Sequence, residues 1–122
     1  MSDFYIPNMS KLISLHNEAR KNSNSNLIAD DRLMIYASDW AKYMSDKNKL
    51  THSRMKDIMN LGFSRVGENI AYGQRDEESV IRTWLRSPGH RSNIMNFSFT
   101  KIGCDFSYSK NGTTYWCVCF AS

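Results

Sequence analysis

An α+β fold in three layers, with helices on both sides of a small, mostly antiparallel sheet, is what this sequence predicts. Three observations carry that prediction. Two long stretches in the first half place apolar residues at helical spacing. Val66 to Tyr72 reads as an extended segment between glycines, and helical spacing resumes after it. The C-terminal stretch reads as two strands around Asn111-Gly112, a strong tight-turn signal. Elements in that order pack naturally as an α-β-α sandwich.

Met9, Leu12, Ile13, His16 and Ala19 or Arg20 share one helical face, which predicts an amphipathic helix from Asn8 to Lys21. The polar run Asn22-Ser23-Asn24-Ser25-Asn26 breaks it. Asp30 is a good N-cap for a second helix to Lys47, with Leu33, Ala37, Trp40, Ala41 and Met44 inward. A short third helix is expected from Arg54 to Asn60, stopping at Gly62. From Asp76 to Arg86, Val80, Ile81, Trp84 and Leu85 share a face. Asp76, Glu77 and Glu78 at its start complement the helix dipole. Pro88 ends that helix, and Ser87-Pro88 reads as the N-cap and first residue of another, through Met95. The closing hairpin is expected over Ile102 to Ser109 and Thr113 to Phe120. With Asn111-Gly112 as a two-residue loop, Lys110 faces Thr113, Cys104 lies opposite Cys119, and Phe106 lies opposite Cys117.

The chain has 122 residues, enough for one core, so residues 1–122 are expected to form a single domain. With 41% apolar residues it has the composition of a globular domain. The formal net charge of +4 is small and dispersed, with no basic run interleaved with aromatics, which excludes a nucleic-acid groove. No apolar run approaches the roughly 18 residues of a transmembrane segment. Met1 to Asn8 lacks the basic and apolar regions of a signal peptide, which leaves a cytosolic protein or a mature domain with an added Met. A monomer is expected.

Few residues can carry chemistry. His52 falls in a connection between helices, and His90 falls at the third position of a helix, where the dipole disfavours imidazolium. Glu68 lies on a tight segment between Gly67 and Asn69. Two neutral imidazoles and a carboxylate can hold Zn2+ with an open fourth position. No Ser-His-acid or Cys-His nucleophile and no Gly-rich phosphate loop is recognisable. The methionines read as core filling. Cys104, Cys117 and Cys119 fit either buried thiols on strands or one disulfide, Cys104 with Cys119, leaving Cys117 over.

His52-Ser53, then Gly67-Glu68-Asn69-Ile70-Ala71-Tyr72-Gly73, then Trp84 through Ser87-Pro88-Gly89-His90-Arg91 to Met95, stand in an order that resembles the signature of the CAP superfamily. That superfamily comprises the cysteine-rich secretory, antigen 5 and pathogenesis-related 1 proteins. The Ser-Pro-Gly-His-Arg form is similar to the bacterial extracellular, SCP-like branch. Leu15 to Arg20 resembles the family's first helix, and Gly112 to Trp116 its closing strand. The resemblance implies an α-β-α sandwich of the CAP type with a central cleft. The cleft would hold two His and two acids, and several members hold a divalent cation there. Carried over by motif, the cleft residues are His52, Glu68, Ser87 and His90, with His52, His90 and Glu68 as metal ligands. Ser87 stands where many eukaryotic members have the second acid, which weakens both metal binding and paired-carboxylate chemistry.

The resemblance further implies a secreted binding module with no obligatory cofactor, taking Zn2+ or another divalent cation loosely. Its partner would be an unidentified ligand or a host or cell-surface protein. A metal-assisted hydrolase and a lipid or sterol carrier are the alternatives. His16 is expected to pack and hydrogen-bond, Asn17 and Arg20 to brace loops, and Asn69 to satisfy backbone. The bacterial branch generally does without disulfides.

Overall fold

The computed structural model describes residues 5–23 and 25–122. The first four residues of the N-terminal stretch, and Asn24 of the polar linker, lie outside the described residues. In chain order the elements are α1 (Met9–Ala19), a 3-10 turn (Lys21–Ser23), β1 (Ile28–Ala29), α2 (Asp31–Lys47), α3 (Met55–Met59) and β2 (Val66–Tyr72). They continue with α4 (Glu77–Arg86), α5 (Pro88–Ile94), β3 (Lys101–Tyr108) and β4 (Thr114–Ala121).

Local chemistry explains the boundaries. The side chain of Asn8 accepts from Lys11 N–H, that of Asp30 from Arg32 and Leu33 N–H, and that of Asp76 from Ser79 N–H. Each satisfies a helix N–H that would otherwise lack a partner. α2 ends where Asn48 turns left-handed, at φ 50°. Ser87 occupies the N-cap position of α5 with Pro88 behind it, but its side chain makes no capping hydrogen bond.

The sheet runs in the order β1-β3-β4-β2. β1 pairs parallel with β3, and the other pairs are antiparallel. All eight residues of the central strand β4 are buried. One face of the sheet carries Ile102, Cys104, Trp116, Val118 and Phe120 against Leu12, Val80, Ile81, Trp84 and Ile94 of the α1, α4 and α5 layer. The other face carries Ile70, Tyr115, Cys117, Cys119 and Ala121 against Leu33, Ala37, Ala41 and Met44 of α2. The predicted three layers are therefore present. At Gly103 a Cβ would stand 2.1 Å from the Leu33 carbonyl carbon, so the backbone of α2 lies directly on β3.

The hairpin corrects the predicted register. Cys104 pairs with Val118, Gly103 with Cys119, Asp105 with Cys117 and Phe106 with Trp116. Ser109 N–H bonds to the Thr113 carbonyl, and Gly112 N–H bonds to the Ser109 carbonyl. With Gly112 at φ 87°, Lys110, Asn111 and Gly112 form a three-residue loop, a turn closed by a left-handed glycine. One extra loop residue slips the pairing by one and sends facing side chains to other neighbours. Cys104 and Cys119 consequently face opposite sides of the sheet. All three cysteines are free and buried.

Candidate functional site

Glu68 and Asn69 are consecutive on β2, so their side chains leave opposite faces of the sheet. Each grips a different segment. The Glu68 carboxylate, fully shielded from solvent, accepts from His52 Nδ1 at 2.8 Å and from Ser53 N–H at 3.0 Å through Oε1. Its Oε2 accepts from the Ser53 hydroxyl. Asn69 donates to the His90 carbonyl at 3.0 Å and accepts from Asn93 Nδ2 at 2.9 Å. Asn93 also donates to the Glu68 carbonyl. Two adjacent residues of β2 thus fasten the His52 connection on one side and the His90 helix on the other. Gly67 permits this, because a Cβ there would lie 2.8 Å from Asn93 Oδ1.

Other elements hold the His52 connection in place. Trp40 Nε1 of α2 donates to the Thr51 carbonyl at 2.8 Å. Tyr36 of α2 lies beside Ser53. Burial pushes the Tyr36 phenol up to about 12, against the pull of Ser53. A carboxylate only accepts, so His52 Nδ1 carries the proton to Glu68, and in the neutral ring Nε2 keeps the free lone pair. The His52 side chain is more than half exposed. Burial lowers the His90 pKa first, and the nearby His52 charge lowers it further. His90 Nδ1 is buried without a hydrogen-bond partner in the structure.

The structure therefore joins His52 to Glu68 directly and places His90 within the electrostatic reach of His52. Ser87 is half-buried at the junction of α4 and α5. Among the residues read as structural, His16 is fully buried, its Nδ1 2.8 Å from the Leu12 carbonyl. Asn17 bonds both backbone groups of Leu27, and Arg20 donates to the carbonyls of Ser25, Ile94, Asn96 and Phe99. Ser53 and Tyr36 are site residues that sequence reasoning missed. For Ser53 the available signal was its place beside His52, since two adjacent residues of a tight connection can both reach one carboxylate. Two surface depressions, of about 550 and 380 Å³, are lined mostly by polar side chains and include none of His52, Glu68 and His90.

Glu68 also touches the sheet interior. Cys117 Sγ lies 3.9 Å from Oε2, and Glu68, Cys117 and Cys119 form a buried group whose donor atoms could hold a metal ion.

The family model of the cysteine-rich secretory protein family, CAP, matches residues 13–120. The chain belongs to the CAP family. This CAP chain is 34% identical over 105 residues to the uncharacterized protein YkwD of Bacillus subtilis, a match covering 79% of the chain and 41% of YkwD. The chain thus spans less than half of that relative. An outer surface protein from Borrelia burgdorferi superimposes with a TM-score of 0.83 at 27% identity, covering 93% of this chain and 91% of that one. An extracellular protein containing an SCP domain from Bacillus anthracis superimposes at 0.77, also at 27% identity, covering 92% of this chain and 39% of that one. No helix among the described residues is long and apolar enough to cross a membrane.

Proposed function

We propose that residues 1–122 form one CAP domain that acts outside the cell as a non-catalytic binding module. Its His52, Glu68 and His90 region, with Ser87 at the rim, takes a ligand or, loosely, a divalent cation such as Zn2+. The observation that carries this reading is the engagement of Glu68. A general base, or a ligand to a cation shared with His52 and His90, needs a lone pair facing that cleft. Both oxygens of Glu68 instead accept from His52, Ser53 N–H and the Ser53 hydroxyl, out of contact with solvent.

Glu68 is thereby suited to orienting His52. A carboxylate on Nδ1–H fixes the tautomer and aims Nε2 outward, the usual outer-shell support of a metal-binding histidine. Burial lowers the His90 pKa, which favours the neutral ring that the same cation needs. Two imidazoles without a carboxylate ligand make a weak site, and Ser87 adds no charge. The arrangement disfavours the hydrolase alternative, because metal-assisted hydrolysis would need Glu68 free as a base. The outer-surface and extracellular relatives support a location outside the cell.

Calorimetric titration with zinc chloride, on the wild type and on His52→Ala, tests the reading. Weak binding is expected in the wild type, at least about tenfold weaker in the variant. It should fade as pH drops below about 6.5, where free imidazole takes up a proton. Equal affinity in the variant, or tight retention at about pH 5, would contradict it.

A further inference from the structure

We infer that Cys117, Cys119 and Glu68 form a second, buried site for a thiophilic divalent cation of the zinc class, separate from the His52 and His90 region. Cys117 and Cys119 are two residues apart on β4 and face α2 together. Glu68 pairs directly with Cys119 across the β2–β4 ladder. The two Sγ atoms lie 3.9 Å apart, Cys117 Sγ lies 3.9 Å from Glu68 Oε2, and all three donor atoms fall within 4.8 Å of one another. Zinc–thiolate bonds of about 2.3 Å at the tetrahedral angle set a sulfur–sulfur edge of about 3.8 Å. The two sulfurs already stand at that edge, and the carboxylate oxygen closes a triangle with them.

Charge balance favours the same occupant. A carboxylate and two thiols carry one negative charge. A divalent cation that displaces both thiol protons gives a complex of two thiolates, one carboxylate and the cation, again with one negative charge, and two protons leave. Loading therefore adds no net charge to the interior, which removes the main penalty against a buried ion. The cation takes the lone pair of Oε2 that now receives the Cys117 thiol. The two Ser53 hydrogen bonds, one to each oxygen, keep the carboxylate oriented. No fourth His, Cys, Asp or Glu joins the group among the described residues, so the protein supplies three ligands. Cys104, on the opposite face of the sheet, is a built-in control.

The test is cobalt(II) added to the reduced full chain, both folded and refolded from urea in its presence, followed by absorption spectroscopy. The wild type and Cys104→Ala should show a thiolate-to-cobalt charge-transfer band at one metal per chain, with two protons released. Cys117→Ala and Cys119→Ala should lose the band, and His52→Ala should keep it. No band in either wild-type sample would overturn the inference, as would a band that survives both Cys117→Ala and Cys119→Ala. If an alanine variant does not fold, alkylation of the wild type decides. Zinc should slow modification of Cys117 and Cys119 at least tenfold, and an unchanged rate would overturn the site. A His52-dependent zinc heat with no thiolate band would sink this site and leave the cleft reading standing.

Discussion

His16 makes a demand that few side chains in this protein make. It sits between Trp84 and Phe120, with ring centroids at 6.1 and 5.6 Å, and its Nε2 is buried without a partner in the structure. Burial holds its pKa down to about 4, with the Arg20 charge adding to the effect and the Leu12 carbonyl opposing it. The unfolded chain binds a proton near pH 6.5, and the native state resists one down to about 4. The stability that depends on a neutral His16 is therefore complete above 6.5 and is lost as pH falls towards 4. The full loss is roughly 3 kcal/mol. Urea unfolding across that range should show the midpoint falling steadily, and a flat midpoint would contradict this placement. At this scale much was legible. His52, Glu68 and His90 stood beside turn or capping residues, and the bracing roles of Asn17, Arg20 and Asn69 followed from their motifs. Tyr36 and the two cysteines near Glu68 were not legible, because they reach it across layers from α2 and β4. No local pattern reports such a contact.

Elements were legible where a cap or a period marked them, and obscure where pairing decided. Asp30 caps the helix it was expected to cap, Ser87 takes its expected place before Pro88 without a capping hydrogen bond, and β2 spans Val66–Tyr72 as read. β1 has two residues and no alternation to read; it exists because Ile28 and Ala29 pair with Lys101 and Ile102. The hairpin loop misled because Asn-Gly serves both a two-residue turn and the end of a three-residue one. That single residue hid the site under Glu68, since register decides that Cys117 and Cys119, and not Cys104, face α2. α4 gives the most direct energetic test at this scale. Trp84 is fully buried among Val80, Ile81 and Ile94, and its Nε1 donates to the Ile70 carbonyl at 3.1 Å. Trp84→Ala removes that packing and strands a buried carbonyl, so it should cost about 3–5 kcal/mol. Chemical denaturation measures this, and an unchanged midpoint would mean that α4 does not anchor the layer.

For the whole molecule, the layers explain why three distant segments meet. β2 lies at the edge of the sheet, with Glu68 turned to the α2 side and Asn69 to the α5 side. The strand thus works as a pin between the His52 connection and the His90 helix, and the rest of the sandwich keeps it rigid. Its buried side reaches the β4 thiols, and its outward side aims a histidine at solvent. On the cleft side, Glu68 positions His52 and does not itself meet the ligand held by His52 and His90. Long-range proton–nitrogen NMR of the imidazoles tests it most directly, at neutral pH, without and then with zinc. His52 should be the Nδ1–H tautomer, and added zinc should shift Nε2 of His52 together with a nitrogen of His90. An Nε2–H tautomer, or zinc that shifts neither ring, would contradict it.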